Sequence, residues 1–202
     1  MLTLYYVPQT RAGRARWMLE ELGVPYQLHR LDPSKGENKT PEYLKIHPLG
    51  HVPALADGDL KMFESTAIVA YLADKYPEKH LAPAPQSPQR GAYYQWLIFC
   101  ANEIEPWVAR IAEHTRFFPE DKRNAALVDE AKTRLAGNLA AIEGALAHQQ
   151  YLLGGEFSAC DLMMSATLRF ADFIGALGDR PVLKAYVERC TSRPALKRAM
   201  AD

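Results

Sequence analysis

The stretch from Gly50 to Thr66 constrains the fold of this chain more than any other. Gly50-His51-Val52-Pro53-Ala54-Leu55 leads into Asp57-Gly58-Asp59, and Leu60-Lys61-Met62-Phe63-Glu64-Ser65-Thr66 follows. An Asp-Gly pair between apolar runs is a hairpin signal, so the reading is strand, tight turn, strand. Glu64-Ser65-Thr66 stands directly ahead of Ala67-Ile68-Val69 and opens a helix. Val52-Pro53 places a residue without a backbone donor at the head of the first strand, which suits a turn or a cis peptide. Outward backbone groups at Val52 can hold an extended peptide by strand-like pairing. The unpaired amides and positive dipole end around Ser65 favour a carboxylate. One short stretch therefore offers a grip for a peptide backbone beside a grip for an anion.

The rest of the chain supplies the frame. Leu2-Thr3-Leu4-Tyr5-Tyr6-Val7 is short, β-rich and ended by Pro8, which predicts a buried strand. Ala15, Met18, Leu19 and Leu22 recur at helical spacing, and Gly23 follows as a stop. Tyr26 to Leu31 alternates as a second strand, a polar loop runs from Asp32 to Lys39, and Thr40-Pro41 starts a short helix carrying Tyr43, Leu44 and Ile46. The order β-α-β-α-β-β-α up to Tyr76 is that of a thioredoxin-like α/β domain. No cysteine precedes Cys100, so a protein dithiol mechanism is excluded. Pro77, Pro83, Pro85 and Pro88 mark a linker. The expected division is a thioredoxin-like domain over 1–77, a linker over 78–88 and an all-helical domain over 89–202. Within the last, Pro106 is expected to kink or break a helix near Glu105, and a long helix is expected over about 121–149. Ser158-Ala159-Cys160-Asp161 has the spacing of a capping box ahead of a core helix, while Pro181 and Pro194 open short final helices.

Charge narrows the partners. Lys plus Arg and Asp plus Glu both number 24, and each half of the chain is balanced, so no basic face announces nucleic acid or an anionic membrane. Cys100, Cys160 and Cys190 are too few and too scattered for a closed disulfide set or paired metal-ligand spacing, which points to a reducing compartment and no metal. Arg11, Arg14 and Arg16 interrupt the first segment, and no apolar run approaches the roughly 18 residues of a membrane span. A soluble cytoplasmic protein is expected.

Val52-Pro53-Ala54-Leu55, Glu64-Ser65-Thr66-Ala67-Ile68, Tyr71-Leu72 and Lys75-Tyr76-Pro77 together resemble the glutathione-binding half of the cytosolic glutathione transferase family. The Ser158-x-x-Asp161 box stands where that family has one in its helical domain, so the resemblance covers the whole chain. It implies that glutathione is the peptide, a co-substrate, and that its γ-glutamyl carboxylate is the anion. Ser65 would then give its hydroxyl and amide to that carboxylate, Glu64 would bind the α-amino group, Val52 and Pro53 would hold the backbone, and His51 and Lys39 would face the glycine end. His47 replaces an asparagine that often precedes this proline in the family, which predicts a different local hydrogen bond.

Glutathione transfer needs a thiolate at neutral pH, and a thiol of pKa about 8.5 is lowered by a hydrogen-bond donor, a cation or a helix N-terminus. Tyr5-Tyr6-Val7-Pro8-Gln9-Thr10-Arg11 supplies all three types. Thr10 stands where serine-using subgroups have their serine in Tyr-Tyr-x-Pro-Gly-Ser. Tyr5 and Arg11 stand where tyrosine-using subgroups have their tyrosine and arginine. The second substrate, a small apolar electrophile, is expected between the domains against some of Tyr93, Trp96, Trp107, His114, Arg116 and Phe117. A symmetric homodimer is expected, with the helix after Glu64 against the one near Tyr93. A glutathione-dependent peroxidase or disulfide reductase on the same scaffold, or a non-catalytic dimeric platform, are the alternatives.

Overall fold

Leu2, Leu4 and Tyr6 are buried while Thr3 and Tyr5 are only half covered, the alternation of a strand lying between two layers. This strand, β1 (Leu2–Tyr6), is central in a four-stranded sheet of order β2-β1-β3-β4. The computed structural model describes residues 1–201, which form two compact units. The first comprises Met1–Ala82 with the stretch from Ser192 onward, and the second is Pro83–Thr191.

In the first unit β2 (Tyr26–Arg30) runs parallel to β1 with Leu2 opposite Tyr26. A parallel pair needs a crossover, and α1 (Ala12–Leu22) supplies it. Gly23, at φ 64°, ends α1 by returning its N–H to the Leu19 carbonyl. β3 (Ala54–Asp57) is antiparallel to β1, with Tyr5 opposite Ala54, and β4 (Leu60–Phe63) is antiparallel to β3, with Ala54 opposite Phe63. The hairpin, the short α2 (Pro41–Leu44) capped by Thr40, and α3 (Ser65–Lys75) complete the expected β-α-β-α-β-β-α order of a thioredoxin-like fold. Leu4, Met18, Leu19, Leu22, Leu55, Ile68 and Leu72 fill the layer between sheet and helices and are among the most deeply buried side chains. The opposite face carries a separate cluster of Leu31, Tyr43 and Ala54, flanked by Tyr5, Val7, Ile46 and Val52.

The last helix, α9 (Pro194–Ala199), packs on α1. The sequence reading gave this tail to the helical domain. It groups instead with the first unit because Arg193 forks onto Glu21 with two bonds of 2.7 Å and Arg198 reaches Glu20 at 2.8 Å. Ala195, Leu196 and Ala199 are buried beneath these ion pairs.

The second unit is helical: α4 (Gln89–Phe99), α5 (Glu105–Ala112), α6 (Ala125–Leu146), α7 (Ala159–Phe173) and α8 (Pro181–Thr191). The chain does not break at Pro106. A π turn over Cys100–Ile104 joins α4 to α5, and Pro106 falls in the first turn of α5, where a missing amide is tolerated. A second π turn spans Glu113–Phe117. The helix expected from residue 121 starts at Ala125, because the Asn124 side chain accepts from the amides of Ala126 and Leu127 at 3.0 and 3.3 Å. The capping box at the start of α7 is closed and wholly buried. Asp161 accepts from Ser158 N–H (2.9 Å), Ser158 Oγ (2.7 Å), Leu152 N–H (2.8 Å) and the Tyr186 hydroxyl (2.9 Å). Burial pushes its pKa up, while these donors oppose the shift. Cys100, Cys160 and Cys190 are free and buried. Among the described residues no helix is long and apolar enough to cross a membrane.

Candidate functional site

Two helix mouths and one loop of the first unit carry the residues of interest. At the mouth of α1 the chain turns sharply through Gln9, whose φ of 58° is left-handed. Thr10 follows, exposed, with its hydroxyl donating to the Val7 carbonyl at 2.7 Å and accepting from the Ala12 amide at 3.3 Å. The hydroxyl thus caps the helix while its proton rests on a carbonyl from which rotation about the side chain can release it. Arg11 is the exposed N-cap residue and makes no side-chain capping bond.

Tyr5 lies elsewhere. Alternation along β1 turns its ring to the opposite face of the sheet, where it sits 4.9 Å from the His29 ring and 5.6 Å from the Tyr43 ring. It is a wall of the Leu31–Tyr43–Ala54 cluster. Of the two hydroxyls singled out in the sequence, Thr10 is the one at the helix mouth.

At the mouth of α3, Glu64 is held at φ 72° and ψ 111° and no side chain caps the helix. The first intrahelical bond runs from Ile68 N–H to the Glu64 carbonyl at 2.9 Å, so the amides before it are available to an anion. Ser65 is buried, and the guanidinium of Arg14, itself buried, donates to Ser65 Oγ at 3.5 Å. Arg14 is the residue that the sequence reading missed. Its signal was present in Arg11-Ala12-Gly13-Arg14, two arginines three apart on one helix, of which only Arg11 was singled out.

The loop from His47 to Pro53 is fastened on several sides. Gly50 sits at φ 61°, and a Cβ there would lie 2.3 Å from the Asn38 carbonyl oxygen. Asn38 Nδ2 donates to the Gly50 carbonyl at 2.7 Å, and Lys39 Nζ to the Leu49 carbonyl at 2.7 Å. Gly50 N–H returns to the His47 carbonyl at 2.8 Å, and the Tyr43 hydroxyl holds the His51 carbonyl at 2.6 Å. The different local bond expected at His47 is an acceptor bond: its Nδ1 receives the Leu49 N–H at 3.3 Å. Val52-Pro53 is a cis peptide, and His51 is exposed beside it.

The six residues expected around a second substrate are spread over the second unit. Tyr93 is fully buried. Trp96 lies edge-on to Phe99, and Trp107 lies beneath the Arg134 guanidinium at 6.0 Å. His114, Arg116 and Phe117 share the second π turn. There His114 Nδ1 accepts from Asn124 N–H at 3.2 Å, and Arg116 lies over the Phe173 ring at 4.7 Å while donating to its carbonyl. Phe117, 66% exposed, stacks on Phe170 at 6.4 Å.

The family model for the glutathione S-transferase N-terminal domain matches residues 1–74, and that for the C-terminal domain matches residues 125–189. Glutathione S-transferase F9 of Arabidopsis thaliana is 36% identical over 201 residues, covering 93% of this chain and 91% of its own. The crystal structure of glutathione transferase F7 from Populus trichocarpa superposes with a TM-score of 0.89 at 27% identity, covering all of both chains. A glutathione transferase family member from Pseudomonas fluorescens pf-5, with two glutathione molecules bound, gives a TM-score of 0.89 at 26% identity over 98% of this chain and 92% of its own. The chain belongs to the glutathione S-transferase family.

Proposed function

We propose that this chain binds glutathione on its first unit, ionises the thiol and transfers the sulfur to small hydrophobic electrophiles. The observation that carries the reading is the uncapped mouth of α3, where Ser65 meets the buried guanidinium of Arg14. That is a site for a carboxylate, with a charge-assisted donor and free amides converging on it. The γ-glutamyl carboxylate takes this place, Glu64 binds the α-amino group, and Val52 pairs with the cysteinyl backbone beside Pro53. His51 faces the glycine end. Lys39 acts there through the Leu49 carbonyl that it holds.

The sulfur lies at the mouth of α1. The thiol gives up its proton to solvent water at this exposed helix mouth, the Thr10 hydroxyl swings from the Val7 carbonyl to donate to the thiolate, and the helix N-terminus with Arg11 stabilises the same charge. Lowering the thiol pKa by two units requires about 2.7 kcal/mol, which three modest contributions supply together. The thiolate then attacks an electrophilic carbon. A C–S bond forms, and a leaving group such as a halide departs with the bonding pair. His114, Arg116 and Phe117 are the second-substrate candidates that share one turn. They suit an apolar, partly anionic electrophile.

A symmetric homodimer completes the reading, because α4 exposes Tyr94 and Ile98 on a groove shared with Gly91, Gln95 and Phe99. The three buried free cysteines fit a reducing cytoplasm. The test has two steps. Retention on immobilised glutathione with release by free glutathione is expected, and no retention would favour a binding platform. Turnover of an aryl halide is expected to exceed that of a hydroperoxide or hydroxyethyl disulfide. Activity on the latter pair alone would overturn simple conjugation.

A further inference from the structure

His47 is buried at 4% exposure, yet its ring makes a bond that only one protonation state allows. Leu49 N–H can donate to Nδ1 at 3.3 Å only if that nitrogen carries no proton, so the imidazole is neutral with its hydrogen on Nε2. The bond spans two residues, as in an Asx turn, with Nδ1 in place of a side-chain carbonyl oxygen. It fixes Leu49 at the start of the segment that delivers His51, Val52 and Pro53. The ring is walled by Phe63 of β4 at 4.8 Å and by His51 at 5.6 Å. The titratable and charged groups facing it are His51 and Lys39, which oppose a positive charge on the ring, and Glu64, which favours one, as does a hydrogen bond of the ring with its own backbone.

We propose that neutral His47 is a positioning residue for the 47–51 loop, and that protonating it weakens the capture of glutathione. The proposal rests on the reading that the peptide backbone is held at Val52. Protonation puts a hydrogen on Nδ1, so two donors face each other and the Leu49 amide loses its acceptor. The ties of the loop from Asn38 and Tyr43 do not depend on the ring's charge, and that from Lys39, whose own charge opposes the ring's, keeps its donor and acceptor. The direction in pH follows from burial, the first cause that holds the His47 pKa below its ordinary 6.5, with His51 second. The depressed value means that the Leu49 N–H to Nδ1 bond is fully present at pH 7 and above. It is lost as pH falls below about 6.5 and through the folded-state value.

The experiment uses S-methylglutathione, which has no thiol to ionise, and calorimetric binding to the intact protein between pH 5 and 8. The dissociation constant is expected to rise roughly three- to tenfold from pH 7.5 to 5, the size of one hydrogen bond. His47→Asn keeps an acceptor for Leu49 N–H without a titrating group, so it should bind as the wild type does at pH 7.5 and show no such rise. His51→Gln should keep the rise. In the wild type, saturating ligand should lower the His47 pKa read by NMR by about half to one unit, because linkage is reciprocal. An anion acting on the ring through space alone would raise it. A flat wild-type profile, an unchanged slope in His47→Asn, or a His47 pKa that ligand raises or leaves alone would each overturn the proposal. No binding at pH 7.5 would overturn the glutathione reading itself, and this inference with it.

Discussion

Arg14 and Ser65 join the two helix mouths of the first unit: the guanidinium on α1 donates to the hydroxyl that begins α3, 3.5 Å away, and both side chains are buried. Removing either should weaken a contact to a carboxylate remote from sulfur. Ser65→Ala is expected to raise the glutathione KM by roughly tenfold or more, the value of a charge-assisted hydrogen bond of about 1.5–3 kcal/mol, with kcat little changed. Arg14→Met, which keeps the bulk, should behave alike. Steady-state kinetics at varied glutathione check this, and an unchanged KM with a fallen kcat would remove both residues from the carboxylate site.

Gly50→Ala should be far more damaging than its size suggests. The residue is left-handed, and its new Cβ would meet the Asn38 carbonyl at 2.3 Å. Left-handed backbone alone costs a residue with a Cβ about 1–2 kcal/mol. A thermal melt should fall by at least about 4 °C, since each kcal/mol is worth roughly 2–4 °C in a chain of this length. A melt within a degree of wild type would contradict the tight loop described here.

Asp161→Ala would strip the acceptor from four donors inside the second unit. Each stranded donor costs about 1–3 kcal/mol, so a loss of at least about 3 kcal/mol is expected, measured by urea unfolding. Glutathione affinity of the folded fraction should hold, because every proposed ligand residue belongs to the first unit. A fall in affinity without a fall in stability would give Asp161 a role beyond folding.

Light scattering at micromolar concentration should give about twice the 22.7 kDa of one chain. Tyr94→Glu with Ile98→Glu places two charges on the exposed face of α4 and should return the mass to that of a single chain. A wild-type mass near 22.7 kDa would exclude the homodimer.

Much of this was legible because its signals are local. Asp57-Gly58 dictated the hairpin, Gly23 the end of α1, and Ser158 with Asp161 the start of α7, since turns and caps depend on a few neighbouring residues. What stayed hidden depended on tertiary packing. Arg14 reads as a solvated helix residue until α3 is laid beside it. α9 carries apolar residues that would suit either unit, and its packing on α1 with the Arg193–Glu21 and Arg198–Glu20 pairs ties it to the first. The chain stays helical through Pro106 because π turns shift the bonding pattern, for which spacing gives no warning.

The central claim is that Thr10, at the mouth of α1, activates the sulfur. The thiolate absorbance of bound glutathione, followed against pH, reads this directly in the wild type, in Thr10→Val and in Tyr5→Phe. Thr10→Val keeps the shape and removes the donor, so the pKa of bound glutathione should rise by about one unit, or about 1.4 kcal/mol of lost stabilisation. Tyr5→Phe should leave it in place, since that ring packs against Tyr43 and His29 and is not at the mouth of α1. A rise of a unit or more in Tyr5→Phe, with Thr10→Val unchanged, would contradict the account.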